Sequence, residues 1–149
     1  ILALVGQQVI DHLAGREELR MHDLLCCLRL LQTRTLPPGL QARLFQELSP
    51  LVDRTVAADP AQWPEYSLRP VQVVDHPASP FMPGREALVA ANLAYEISSQ
   101  QEDGSWTPTW TWGRAFPEVW PLAAREWTGV LTLQKLLLLQ RFRRIEGIA

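Results

Sequence analysis

Few places in this chain carry residues whose types and spacing could do chemistry. Glu18, His22, Cys26 and Arg29 recur at steps of four, four and three, so a helix sets them on one face. A His–Cys pair one turn apart, His22 and Cys26, is half of a tetrahedral zinc site, but spacing assigns no third ligand. The competing reading is that these four are ordinary polar residues facing solvent or an interface. Trp110 and Trp112 alternate, so an extended segment puts both indoles on one side, whereas Trp120 and Trp127 stand seven apart and share a helical face. Aromatic walls of this kind stabilise cations or stack sugar rings; filling a core is the competing use. Glu126 directly precedes Trp127, where a buried carboxylate would serve as a general acid or pair with Arg114 or Arg125.

Length and composition bound what such residues can belong to. The 149 residues suffice for a single domain with a real core, and 47% apolar with 20% charged residues is ordinary for a globular protein. A net charge of −2 gives no reason to expect nucleic acid or an anionic membrane as partner. Arginine supplies almost all the basic residues, Lys135 being the only lysine, which reads as coding bias. The longest leucine run, Leu136 to Leu139, falls far short of the ~20 residues of a membrane span. The only cysteines, Cys26 and Cys27, are neighbours and build no disulfide framework, which favours a cytoplasmic protein. Neither a phosphate-cradling glycine loop nor G-x-S-x-G or H-E-x-x-H occurs, and no cofactor is expected.

The elements that must position these residues read as helices throughout. Apolar spacing predicts one helix from Ile1 to about Leu13, with Gly15 as its stop, and a second between Arg16 and Thr33 with Leu24, Leu25, Leu28 and Leu31 as its stripe. A third runs from Pro38 or Gly39 to about Ala58, with a kink or restart at Pro50. Residues 59 to 83 hold six of the twelve prolines and no periodicity, yet Trp63, Tyr66, Leu68, Val71, Val73, Val74, Phe81 and Met82 call for cover. Val71 to Val74 is the one short strand candidate. The fourth helix, Gly84 to Gln101, carries Arg85, Asn92, Glu96 and Ser99 at steps of seven, four and three, which predicts a polar, outward face. The fifth, from Pro117 or Pro121 to Ile145, is apolar on nearly every side and so is expected to be buried, with Gly147 ending it.

Between those last two helices lies Gln100-Gln101-Glu102-Asp103-Gly104-Ser105-Trp106. This stretch resembles the QW motif of the terpenoid cyclase and protein prenyltransferase superfamily, and the stretch from His22 onward is similar to bacterial proteins described as prenyltransferase-like. The resemblance covers residues ~84 to 146 best. It implies an all-α fold of helical hairpins forming part of an α/α toroid, about five main helices and one long Pro-rich loop in a single domain spanning residues 1–149. It also implies that Gln100, Gln101, Asp103, Gly104 and Trp106 brace an outer helix to an inner one. Prenyltransferases hold zinc through an Asp-x-Cys spacing, whereas Asp23 and Cys26 are three apart. The Asp-x-Asp-Asp acid of such cyclases and their Asp-rich metal motif do not occur, which places any such motif upstream. The chain opens on Ile1 inside an apolar pattern and is therefore expected to be the C-terminal part of something longer.

Three functions follow as expectations. The first is a toroid domain that binds a hydrophobic, isoprenoid-type small molecule, with Trp110, Trp112, Trp120 and Trp127 as the ligand-lining candidates. The second is a non-catalytic helical scaffold whose groove binds a peptide or protein partner, with self-association or association with the missing N-terminal half as further expectations. The third is a carbohydrate-active α/α barrel in which Trp110 and Trp112 stack sugars and Glu126, the catalytic candidate, or Asp103 acts as acid; such chemistry needs two carboxylates flanking one bond.

Overall fold

The computed structural model describes residues 1–145; Gly147, the expected helix stop, lies outside the described residues. Six α-helices make up the fold, and no strand occurs among the described residues. Helix α1 spans Leu2–Leu13, α2 Met21–Leu31, α3 Pro38–Thr55, α4 Pro70–Val73, α5 Glu86–Ser98 and α6 Trp120–Arg141. The chain divides into two compact units, Ile1–Ala57 and the residues from Ala58 onward.

In the first unit, α3 packs against both α1 and α2. Its stripe of Leu44, Leu48, Leu51 and Val52 is buried, as are Ile10 and Leu13 of α1 and Leu24, Leu28 and Leu31 of α2. Each such side chain contributes about 1.5–3 kcal/mol by leaving water. Gly6 lets α1 approach closely: a Cβ there would stand 3.1 Å from Leu36 Cδ1 and 3.3 Å from Leu40 Cδ1. Pro50 does not restart α3, which runs through it as one element, and the Ser49 hydroxyl donates to the Phe45 carbonyl at 2.8 Å beside it. Arg54 Nη1 and Thr55 Oγ1 donate to the carbonyls of Glu17 and Leu19, tying the segment before α2 to the end of α3.

In the second unit the Pro-rich segment is not a bare loop. A 3-10 turn at Pro60–Gln62 is capped by Asp59 Oδ1, which accepts from the Ala61 N–H at 2.9 Å. The strand candidate from Val71 to Val74 instead sits in and just after α4, opened by Pro70 at its first position. Trp63, Leu68, Val71, Val73, Val74 and Phe81 are buried, while Tyr66 stays exposed. Helix α4 packs directly on α5, and α5 joins α6 through the side chains of Glu96, Trp106 and Lys135.

Two expectations about burial are reversed. Asn92 and Glu96, read as an outward polar face of α5, are both 0% exposed, because each has a partner that offsets its burial. Conversely α6 is not buried all round: Leu122, Val130, Leu133, Leu136 and Leu137 are exposed along one face. Its end comes earlier than expected. Phe142 caps it, Arg143 takes the left-handed φ of +53°, and Arg143 and Arg144 donate back to the Gln140 and Leu139 carbonyls. That is a Schellman turn with arginine where glycine is usual.

Candidate functional site

The turn after α5 sets the site. Gly104 has φ +84°, a conformation glycine takes without steric cost. Gln100 Nε2 donates to its carbonyl at 2.8 Å, the Gly104 N–H donates to the Gln101 carbonyl, and the Ser105 N–H donates to Asp103 Oδ1 at 2.9 Å. The Ser105 hydroxyl and backbone N–H together hold the Asp103 carboxyl below its usual range. Having reversed direction, the chain delivers Trp106 between α5 and α6. Its indole Nε1 donates to the Glu96 carbonyl at 2.7 Å, and its backbone N–H donates to Thr132 Oγ1 at 3.1 Å.

Beneath this brace lies a buried ion triad. Lys135 Nζ of α6 stands 2.5 Å from Glu96 Oε2, and Arg69 Nε, just before α4, stands 3.3 Å from Glu96 Oε1. The three side chains are 10%, 0% and 13% exposed respectively for Lys135, Glu96 and Arg69. These contacts are close by distance without hydrogen-bond alignment, so Arg69 Nε and both Glu96 oxygens lack an aligned protein partner. Burial pushes the Lys135 ammonium below its ordinary value, the Glu96 carboxylate opposes that shift, and Arg69 adds to it. One turn earlier on α5, Asn92 Oδ1 accepts from the Val71 N–H at 3.2 Å and so fixes the start of α4.

The triad opens onto a cavity of about 210 Å³ lined by Tyr95, Trp106, Trp110 and Leu131 on the apolar side, with Thr107, Thr109, Ser99 and Gln101 adding hydroxyl and amide groups. It is smaller than the ~300–1,000 Å³ usual for drug-sized ligands. Glu96 is the one carboxylate among its lining residues. Two cations on that carboxylate leave the site with a formal charge of +1.

The tryptophans separate into two pairs along α6. Trp110 meets Trp127 edge-on with ring centroids 5.6 Å apart and also touches Tyr66 at 6.0 Å; Trp112 meets Trp120 at 5.2 Å and Phe116 at 6.5 Å. Of the four, Trp110 lines the cavity. Trp112 and Trp127 are about two-fifths exposed. Glu126 is exposed, so the buried general acid expected there is absent: it stands on the solvent side of a helix whose packed side carries Lys135 instead. Arg114 and Arg125 are exposed too. His22 and Cys26 are both exposed on α2, and no cluster of three metal-ligating side chains occurs among the described residues.

Sequence reasoning missed Glu96, Lys135 and Arg69. The available signal was Lys135 itself, a lone charge amid the leucines of α6, which a packed helix must neutralise. No helix among the described residues is long and apolar enough to cross a membrane. Comparison of the chain with family models, curated proteins and solved structures finds no significant match.

Proposed function

We propose that the second unit binds a small molecule with an apolar, isoprenoid-type body and one polar end. The observation that carries this reading is the pairing, in one cavity, of Trp110 and Tyr95 with the buried Glu96–Lys135 pair. The aromatic faces offer contact to an unsaturated hydrocarbon, and the triad offers a charged group to its polar end. The Gln/Trp turn at Gln100 to Trp106 supports kinship with the α/α-toroid superfamily, in which hydrophobic ligands are bound among helices. The free thiols of Cys26 and Cys27 fit a cytoplasmic site of action. Sugar chemistry is disfavoured because it wants paired carboxylates, whereas Glu96 stands alone in the cavity and already carries two cations.

Thermal unfolding tests this directly, because a ligand that binds only the native state raises Tm. Geraniol is expected to raise the Tm of the wild-type chain and not that of Trp110→Ala, with maltotriose without effect on either. A shift with the oligosaccharide alone, or with neither, overturns the reading. A scaffold is the second reading, favoured by the exposed apolar face of α6; a concentration-dependent mass in sedimentation would support it.

A further inference from the structure

We infer that Lys135 is the attachment point for a small aldehyde, which the protein holds as a protonated imine with Glu96 as its counter-ion. The inference rests on the ligand-binding reading above and names the chemical class of the ligand's polar end.

Access comes first. Lys135 is the chain's single lysine, its side chain is 10% exposed, and it lines the same cavity as Trp110, Tyr95 and Leu131. A reagent therefore meets this amine from inside an aromatic-lined space. Glu96 Oε2, at 2.5 Å from Nζ, is the carboxylate oxygen that exchanges a proton with it once the pair aligns around a bound aldehyde. Arg69, on the other oxygen, keeps a cation on the carboxylate throughout.

Charge conservation then selects the reaction. A lysine ammonium and a protonated imine both carry +1, so forming the imine leaves the charge of the Arg69–Glu96–Lys135 triad unchanged. Acylation of Nζ would remove that charge and leave a neutral amide in its place. Trp110 and Tyr95 line the same cavity, and aromatic rings stabilise a delocalised cation. A lysine desolvated beside a second cation is also a recognised setting for an amine nucleophile, and burial with Arg69 lowers the Lys135 pKa in that direction.

The step balances without any other reactant. Nζ passes a proton to Glu96 and attacks the carbonyl carbon; a C–N bond forms and the C=O π pair moves to oxygen. A proton moves from nitrogen to that oxygen, giving a carbinolamine. Glu96 returns its proton to the hydroxyl, the C–O bond breaks, water leaves, and the nitrogen lone pair closes the C=N⁺–H bond. Net, an ammonium and an aldehyde become a protonated imine and water.

Citral, an isoprenoid aldehyde, is the probe: the full chain is incubated with it and cyanoborohydride at neutral pH, and the reduced adduct is mapped by peptide mass spectrometry. The expected result is modification at Lys135, its suppression by excess geraniol, and its loss in Lys135→Arg. Because the suppression arm uses wild-type protein alone, it stands even if the variant fails to fold. Modification confined to the chain's α-amino group overturns the inference. If geraniol nonetheless raises Tm, the binding reading survives that result; if it does not, both fall.

Discussion

Lys135 Nζ lies 2.5 Å from Glu96 Oε2 with both side chains buried, while Arg69 Nε holds the other oxygen at 3.3 Å. One carboxylate thus answers two cations, and the consequences of removing each partner are unequal. Glu96→Gln leaves two buried cations facing each other and is expected to cost about 3–5 kcal/mol. Lys135→Met leaves the Arg69–Glu96 pair, formally neutral, and is expected to cost roughly 1 kcal/mol. Urea denaturation of the two variants measures the order; a larger loss for Lys135→Met would show that the triad is not the electrostatic unit described.

The pH dependence of Lys135 has a definite sign. Burial, reinforced by Arg69 and opposed by Glu96, lowers its pKa from the ordinary lysine value of 10.5. The unfolded chain therefore binds more protons at this residue between the lowered value and 10.5, and stability from Lys135 rises with pH across that window. Below the window the contribution is at its least favourable. Measured as the stability difference between wild type and Lys135→Met, the balance is expected to move toward wild type from neutral pH toward 10.5. A difference that moves toward the variant would mean that Glu96 outweighs burial.

Trp106 joins α5 to α6 through two hydrogen bonds and a buried ring. Trp106→Phe keeps most of the ring but removes one of two donors to the Glu96 carbonyl, which still accepts from the Ser99 hydroxyl at 2.9 Å, at an expected cost of about 0.5–1.5 kcal/mol. Trp106→Ala also empties the space and is expected to cost about 3–5 kcal/mol. Equal losses for the two would assign the whole effect to the hydrogen bond, and a neutral phenylalanine variant would assign it to packing.

The helices were legible in the sequence because Leu44, Leu48, Leu51 and Val52, or Leu24, Leu28 and Leu31, repeat at helical spacing and are buried at that spacing. Which side of α5 faces inward was not. Arg85, Asn92, Glu96 and Ser99 make one polar stripe, and periodicity cannot distinguish a stripe wetted by solvent from one answered by protein. Here Val71, Arg69 and Lys135 supply the answer from distant parts of the chain. The same limit misdirected the search for an acid to Glu126, whose neighbour Trp127 suggested burial. The end of α6 was hidden for another reason: Arg143 adopts a left-handed conformation that its residue type does not advertise.

The exposed face of α6 sets how the folded molecule behaves in concentrated solution. Leu122, Val130, Leu133 and Leu137 present a stripe of hydrocarbon to water, while a net charge of −2 supplies little mutual repulsion between molecules. Salts such as sulfate, which strengthen apolar association, act on that stripe most directly. A charge placed on that surface, as in Leu133→Glu, is therefore expected to raise the sulfate concentration at which the protein salts out.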